Sequence, residues 1–542
     1  MPAGEIILVA YSQENLFLNS EPQITFFKIL YRRYSNFAIE TIKQTFKSEI
    51  KLGNKYSIQI SRLADLLHKM WLVIETPNIP IIYDFYNNPD EKIKFKWTKD
   101  IGYALIDYVE IEINGKTITK HWGEFYNSLN KLNWNDFNGT TDELIGNLPE
   151  IIDYHYVKDG IGSYTLRIPL NFWFCNNSGD CLPLINCEFS PIKFNVKFND
   201  FNKCGIFSPS NYINIQKYNG VSVLGEPLLQ ITPQGYSWAE FDSIDISSYN
   251  KETFDVESYN LYYRKISDND FITNIDLNNI KIENALSSLQ NYVIYGMYSG
   301  SVYIPSNASE DVNSVFSSKK YYINFDSDIF LKDAYLLCDF VYIDNEERVK
   351  FYNSKRNYLI DQVYLTTSYN INNLSFKNYL NTINCCKFIL FMGQVEYFLN
   401  ENVNYNFDYN TLFFNPKLIN EALNFININK KNTIKELTFL YDSSKSQEIL
   451  DMEVYSLMYP FYSYKKAKNK NGFGIKPFSL YTQNLQPSGT LNTSKLKTLE
   501  ILSYFNKIDE IYNKYILKCY VVTYNYLRFS NGVSGTSFNS AY

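Results

Sequence analysis

Histidine is the scarcest of the residues that build reactive centres in this 542-residue chain, with only His68, His121 and His155 present. A zinc site or a cupin-type metal site needs several His or Cys side chains at close spacing, and these three lie far apart. The chain also lacks P-loop glycine spacing, an HExxH pair and a GxSxG elbow. We therefore predict a protein that is not an enzyme, with no cofactor and with no catalytic, cofactor-binding or metal-binding residues. His68 is interpreted as a packed or solvated side chain.

An excess of basic charge is missing as well. The 51 Lys and Arg are outnumbered by 57 Asp and Glu, which gives a formal net charge of -6. A surface that neutralises phosphates needs a basic excess or a basic stripe. The short basic run KKAKNKNG at 465–472 is interpreted as a solvated loop. No direct binding of nucleic acid is therefore expected.

Closely spaced cysteine pairs and long apolar runs are also absent. The eight Cys show no CxxC spacing, so we interpret them as buried free thiols that suit a reducing compartment such as the cytosol. The first residues include Glu5 and no basic n-region, which argues against a signal peptide. No apolar run reaches the roughly 18 residues of a membrane-spanning helix. The chain is expected to be soluble or to join an assembly.

Aromatic residues are abundant, at 17% of the chain with 48 Tyr and 39 Phe. Such side chains favour pleated, half-buried surfaces, so the composition favours β structure. Because 542 residues exceed one hydrophobic core, at least two domains are expected.

The clearest local pattern is a hairpin over residues 108–120. Apolar residues alternate up to Asn114-Gly115, and this dipeptide supplies the two positive φ angles of a tight turn. Glu110 and Glu112 lie two apart on the first strand, so they share one face, which we predict to be the solvent face.

Three further segments carry local predictions. Ser61 is expected to cap a short helix over 62–70, and residues 452–458 are interpreted as a strand. Asp344 is predicted to cap a helix whose first turn carries Glu346 and Glu347. Capping explains this acidic group with fewer assumptions than a metal site does.

Five collinear stretches resemble the major capsid proteins of large eukaryotic DNA viruses. The opening stretch, EPQITFFKILYRRYSNF, resembles the family's PQITFFK block, and YTLRIPLNFWFC…LPLI resembles the run that closes its first jelly roll. The others are a DL-x-x-x-M-x-L segment, the pair D-x-x-ER-x-x-F and YLI-x-QV, and QPSGT with a closing V-x-YN-x-LR strand. The residues that carry these last three stretches are Asp65, Leu66, Met70, Leu72, Asp344, Glu347, Arg348, Phe351, Tyr358, Gln362, Val363, Gln486, Pro487, Ser488, Gly489, Thr490, Val522, Tyr524, Asn525, Leu527 and Arg528.

The resemblance implies an all-β fold of two tandem eight-stranded antiparallel jelly rolls, with short helices and long loop insertions. It implies an amino-terminal arm over 1–24, a first jelly roll over 25–215 and a second over 331–542. Residues 216–330 have no counterpart in the resemblance. We interpret them as a connection or insertion of unknown role, with outward decoration of a shell as one possibility.

By the same resemblance the chain is expected to be a major capsid protein and a structural component of the virion. Three copies would form a pseudo-hexagonal capsomer, and capsomers would tile an icosahedral shell assembled in the host cytoplasm. Expected partners are other copies, minor capsid proteins and penton proteins, with an internal viral membrane nearby. The alternatives are a minor capsid paralogue, a transient membrane-shaping scaffold of the same fold, or a carbohydrate-binding β-sandwich.

Overall fold

A computed structural model shows two β-sandwiches and a small barrel. It describes residues 34–79, 94–133, 139–152, 155–156, 162–208, 330–380, 383–399, 410–411, 431–445, 448–464, 472–506, 514–530 and 532–538, six strands between 212 and 305, and the single residues Glu5 and Glu21. The expected arm over 1–24, most of the opening family stretch and most of the 465–472 loop lie outside the described residues.

The first sandwich is built mainly from the strands up to residue 208. These strands are β1 (Phe37–Thr45), β2 (Lys55–Gln59), β3 (Leu66–Glu75), β4 (Lys94–Trp97), β5 (Ile106–Ile113), β6 (Lys116–Trp122), β7 (His155–Tyr156), β8 (Thr165–Pro169), β9 (Leu182–Pro183), β10 (Ile192–Phe198) and β11 (Gly205–Ser208). Its helices are α1 (Ile101–Ala104), α2 (Gly123–Leu132), α3 (Gly139–Ile145), α4 (Pro149–Ile152) and α5 (Trp173–Asn176), with 3-10 turns at Ser178–Asp180, Leu184–Asn186 and Phe201–Lys203.

The strands after β11 form the barrel and then the second sandwich. The barrel strands are β12 (Tyr212–Asn219), β13 (Pro227–Thr232), β14 (Gly235–Tyr249), β15 (Val256–Lys265), β16 (Val293–Gly296) and β17 (Val302–Pro305), and β18 (Asp333–Ile343) follows. The remaining strands are β19 (Arg356–Ile371), β20 (Ser375–Tyr379), β21 (Cys385–Val395), β22 (Asn410–Thr411), β23 (Lys431–Asn432), β24 (Ile434–Tyr441), β25 (Ser444–Lys445), β26 (Leu450–Asp451), β27 (Gly474–Pro477), β28 (Leu491–Asn492), β29 (Leu499–Phe505), β30 (Tyr515–Ser530) and β31 (Val533–Thr536).

Helical segments in the second half are short. They are α6 (Asn345–Asn353), a π-helical turn (Val454–Met458) that continues into α7 (Tyr459–Tyr464), and 3-10 turns at Glu396–Leu399 and Thr493–Lys495. Asp344 caps α6 by accepting a hydrogen bond from the Asn345 amide, and Glu346 and Glu347 occupy the first turn. The predicted cap is therefore confirmed.

Both sandwiches have the same strand order. The first packs β1-β18-β3-β8 against β2-β10-β5-β6, and the second packs β19-β30-β21-β27 against β20-β29-β24-β25. Counting the strands on these main paths in chain order, the sheets read 1-8-3-6 and 2-7-4-5 in each case. This is jelly-roll order, so the predicted double jelly roll is confirmed.

Each sandwich has its own hydrophobic core, made by inward-facing residues of alternating strands. In the first, Leu72, Val109 and Phe194 are fully buried, and in the second Phe439 and Ile501 are fully buried. These side chains fix which face of every sheet points inward, and so they also define the two outer faces.

Strand β18 completes the first sandwich, although the predicted boundary at 331 would place it in the second jelly roll. It lies between β1 and β3, with Ile39 opposite Val341 and Leu72 opposite Leu336. Leu336, Cys338 and Phe340 pack in the first core. We therefore propose that the first unit ends at Ile343 rather than at residue 215, with β18 as its last strand.

The segment between β11 and β18 contains structure of its own. Strands β12-β15-β14-β13-β16-β17 close into a six-stranded antiparallel barrel. The barrel lies in sequence between β11 and β18, so it is an insertion before the last strand of the first sandwich.

Local predictions have mixed outcomes. The hairpin at 108–120 is confirmed, with φ of 52° at Asn114 and 76° at Gly115. The helix predicted over 62–70 is wrong, because residues from Leu66 onward form β3, whose backbone pairs with β18 and β8. The strand predicted over 452–458 is also wrong, since the segment is helical.

Candidate interaction surfaces

Helix α2 makes an apolar contact between the sandwiches. The side chains of Phe125 and Leu132 point away from the first sandwich and pack on the outer face of the β19-β30-β21-β27 sheet. The second sandwich contributes Val363, Phe388, Leu390, Met392, Tyr464, Phe473, Ile475, Tyr520 and Val522 to this cluster, and Trp122 and Leu129 lie at its margin. The centre of the cluster consists of buried, mainly apolar side chains from both sandwiches. Burial of this apolar surface stabilises the contact between the two sandwiches.

The first residue of α2 packs closely against its own sandwich. Gly123 is its first residue, and a Cβ there would lie 2.1 Å from the Tyr103 carbonyl oxygen and 2.4 Å from that of Ile106. Next to it, the Glu124 carboxylate accepts hydrogen bonds from Lys518 Nζ and, at 3.0 Å, from the Tyr520 hydroxyl. The helix is thus anchored on both units by its first two residues.

Strand β6 contacts strand β19 at the side of the same interface. Gln362 Nε2 donates to the Ile118 carbonyl oxygen at 2.7 Å, while its Oε1 accepts from Tyr364 and Asn525, each at 2.9 Å. All of these polar groups are buried and paired, which makes the contact specific as well as apolar. Tyr358, also on β19, packs into the first core.

A charged pair joins the sandwiches on another side. Arg348 of α6 donates to both carboxylate oxygens of Asp65, at 2.8 and 3.0 Å, and Asp65 also accepts from the Ile343 amide at 3.0 Å. This bidentate contact raises the pKa of Arg348. Both Asp65 and Arg348 belong to the stretches that carry the family resemblance, so their pairing gives those residues a structural role.

The carboxy-terminal hairpin touches the first sandwich as well. The Phe189 amide donates to the Gly532 carbonyl oxygen at 3.1 Å, and the Ser534 amide donates to Ser190 Oγ at 3.2 Å. Lys116 at the β5–β6 turn donates to Thr536 at 2.8 Å. Several independent contacts therefore fix the orientation of the two sandwiches.

His68 and the cysteines, which the sequence raises as candidate metal ligands, pack against other parts of the protein. His68 Nδ1 is 3.1 Å from the Phe174 carbonyl oxygen, and six of the eight Cys are buried free thiols, with Cys175 and Cys385 half-buried. Among the described residues there is no cluster of three or more His, Cys, Asp or Glu side chains that could hold a metal. In the same part of the chain no helix is long and apolar enough to span a membrane.

The expectation that Glu110 and Glu112 face solvent is wrong for Glu110. The two do share one face, but polar side chains of β10 and β2, which belong to the same sheet, contact them there. Asn195 Nδ2 donates to Glu110 at 3.0 Å and to Glu112 at 3.2 Å, and Lys55 pairs with Glu110. The carboxylates hold the sheet together through hydrogen bonds.

His121 is buried in an aromatic cluster. Its Nδ1 lies 3.0 Å from the Tyr126 hydroxyl, its Nε2 lies 3.2 Å from Thr119 Oγ1, and its ring stacks on Phe172 at 5.1 Å. Burial lowers the pKa of His121 from 6.5 to about 3. The imidazole is therefore neutral at physiological pH and serves packing.

This burial predicts that the fold loses stability in acid. Below pH 6.5 the unfolded chain binds a proton at His121, whereas the folded chain does so only near pH 3. The stabilisation is thus present above pH 6.5 and is lost as the pH falls, by about 2 kcal/mol between pH 7 and pH 5. Urea unfolding at both pH values, with His121→Gln as the non-titrating control, measures it. Equal losses in the two proteins would contradict the prediction.

The strand order and the two-sandwich contact define the class of protein as a double jelly roll. Family models match two long stretches: "Major capsid protein N-terminus" over residues 25–237 and "Large eukaryotic DNA virus major capsid protein" over 347–535. The chain belongs to the major capsid protein family of large eukaryotic DNA viruses.

Individual relatives agree. The chain is 28% identical to probable capsid protein 4 of Acanthamoeba polyphaga mimivirus, with 100% of both chains covered. It is 36% identical to the major capsid protein of Pyramimonas orientalis virus, over 37% of this chain and 48% of that protein. The chain thus spans the full length of the first relative and less than half of the second.

Solved structures show the same fold. A quasi-atomic model of the PBCV-1 virus capsid matches with a TM-score of 0.59 at 17% identity, covering 95% of this chain and 100% of that one. The Faustovirus major capsid protein matches with a TM-score of 0.59 at 10% identity, covering 96% and 94%. At these identities the likeness concerns the fold.

One functional feature was missed from the sequence. The interface helix α2 carries Phe125, Leu129 and Leu132, and Trp122 immediately precedes it; together they follow the i, i+3, i+7, i+10 pattern of one helix face. That periodicity predicts an amphipathic helix, but only the contact with the second sandwich shows what the apolar face packs against.

Proposed function

We propose that this chain is a structural capsid protein whose copies associate in threes, so that six sandwiches form a pseudo-hexagonal capsomer. The observation that carries the proposal is the identical strand order of two sandwiches joined by a buried interface. A pair of equivalent units is what a three-fold ring needs to approximate six-fold symmetry. Family membership and the capsid proteins among its relatives support the same role.

Shell assembly then needs surface complementarity and no chemistry. We propose neighbouring capsomers, minor capsid proteins and penton proteins as the partners, an internal viral membrane on one side, and assembly in the host cytoplasm before incorporation into the virion. The net charge of -6 supports a shell protein that does not bind the genome directly.

The first test is the native mass of the purified protein. Light scattering is expected to give three times the 63.6 kDa chain mass, and negative-stain images of the same peak should show pseudo-hexagonal particles. A monomer that persists across salt and protein concentration would contradict the capsomer and would favour a carbohydrate-binding sandwich instead.

The second candidate function is that of a minor capsid protein or a transient scaffold. The observation that favours it is the barrel inserted at 212–305. Quantitative mass spectrometry of purified particles separates the two roles. A major capsid protein dominates the protein mass of mature particles, whereas a transient scaffold is absent from them.

A further inference from the structure

The repeated strand order places a helix at the same point in both sandwiches. Helix α2 lies between the fifth and sixth main-path strands of the first sandwich, and the π-helical turn with α7 lies between the fifth and sixth of the second. Each helix also places a tyrosine in its own core: Tyr126 in the first and Tyr455 in the second. The two helices are therefore structural counterparts.

Their outward faces differ in what covers them. In α2, Phe125 is 3% exposed and Leu132 is 0% exposed, because the second sandwich covers them. The counterpart residues form an exposed surface that we call the helical patch. It consists of Leu457 (53% exposed), Met458 (53%), Phe461 (64%) and Tyr462 (72%). Large apolar side chains grouped in this way mark an interaction site.

The surface that receives α2 also has a counterpart. α2 packs on the outer face of the 1-8-3-6 sheet of the second sandwich, and the equivalent sheet of the first is β1-β18-β3-β8. On its outer face Trp71 lies opposite Leu337, and Tyr335 lies two residues away; all three are half-exposed. We call this surface the receiving face.

The first main-path strands of the two sandwiches, β1 and β19, also differ in how exposed they are. The first main-path strand of the second sandwich is covered by the first sandwich, so Tyr358 and Ile360 are buried. Its counterpart β1 is open, and Phe37 and Ile39 are each 53% exposed. A helix with an exposed apolar face and a sheet with an exposed outer face, the two components of the contact within the chain, are thus each present a second time.

Charge placement is compatible with the contact. Glu124 at the start of α2 binds Lys518, and Glu453, which immediately precedes the π-helical turn, is exposed at the equivalent place. The outer side of the β1-β18-β3-β8 sheet carries three exposed basic side chains, namely Lys43, Lys69 and Arg167. Asp333 offsets part of this charge by pairing with Lys43.

We propose that the helical patch of one copy packs on the receiving face of a second copy of this chain, repeating between chains the contact that α2 makes within one. The inference rests on the proposed capsomer and names its contact surface. Because the contact joins unlike surfaces, it continues head to tail, and in the proposed capsomer it closes after three copies into a ring of six sandwiches.

The test uses the full-length chain with the double substitution Met458→Asp and Phe461→Asp. Light scattering is expected to show a fall from three times the 63.6 kDa chain mass to the chain mass itself. Tyr379→Asp is the matched control, because Tyr379 is 61% exposed on the edge strand β20 of the other sheet, away from the patch. It should remain a trimer. Unchanged circular dichroism and a cooperative thermal transition verify that the variants fold; the midpoint of the double variant is expected to fall only by the amount that loss of association accounts for.

A photo-crosslinking residue at position 462 identifies the surface directly. Crosslinks between copies to peptides that contain β1, β3 or β18 would support the inference. A wild-type trimer whose crosslinks fall elsewhere, or a double variant that stays trimeric, would overturn the inference and leave the capsomer intact. A wild-type chain that is monomeric would overturn both.

Discussion

Replacing Phe125 with alanine is expected to uncouple the two sandwiches within one chain. Phe125 is almost fully buried between them and packs against residues of the second sandwich such as Tyr520, whose ring centroid is 5.6 Å away. Removing a buried phenylalanine side chain costs about 3–5 kcal/mol, from lost burial and from the cavity that remains. Calorimetry should show a lower first transition, and the single unfolding transition expected of the wild type should split into two.

Phe125→Leu is the matched control, since it keeps most of the apolar volume and should cost less than about 1.5 kcal/mol. A Phe125→Ala protein that unfolds in one transition with an unchanged midpoint would show that α2 is not what couples the sandwiches. The orientation would then rest on Gln362 and on the Asp65–Arg348 pair instead.

Features that depend on neighbouring residues could be predicted from the sequence. The Asn114-Gly115 turn and the Asp344 cap are confirmed because their geometry is set within a few residues of chain. The double jelly roll was predicted from a resemblance spread over the chain, and not from strand patterns alone. The alternation of apolar and polar residues alone does not predict the strand order of either sandwich.

Features that depend on distant pairing could not be predicted in the same way. Glu110 looks like a solvated strand residue until β10, more than 80 positions later, brings Asn195 against it. Strand β18 follows the barrel by sequence but completes a sheet that begins at Phe37. In both cases the decisive contact lies far away in the chain, so no local pattern contains it.

The helical patch shows a different limit of prediction from sequence. Val454, Leu457, Met458 and Phe461 have helical spacing, yet the segment is also apolar enough to be interpreted as a strand. A short apolar run does not separate the two by composition. Its partner in our proposal belongs to another copy, and so the sequence of one chain gives no direct sign of it.

Replacing Lys387 with methionine is expected to destabilise the second sandwich strongly. The Lys387 side chain is buried, and its Nζ donates to Asp361 Oδ2 at 2.9 Å and lies 5.2 Å from the Tyr524 ring centre. Burial raises the pKa of Asp361, and Lys387 opposes that rise. Without the lysine the carboxylate has no counter-charge. Because the Asp361 side chain is 27% exposed, the expected loss is smaller than the roughly 3–5 kcal/mol of a fully buried pair, at about 2–3 kcal/mol.

The double variant Lys387→Met with Asp361→Asn separates loss of the pair from loss of packing, because it removes both charges and keeps similar volumes. It should regain most of the stability, since two neutral groups leave no unpaired buried charge. Urea unfolding at pH 7 measures all three proteins. If the single and double variants are equally unstable, the lysine acts through its packing against Tyr524. If the single variant alone is unstable, the charge pair, which links β19 and β21 across the intervening strand β30, is the stabilising contact.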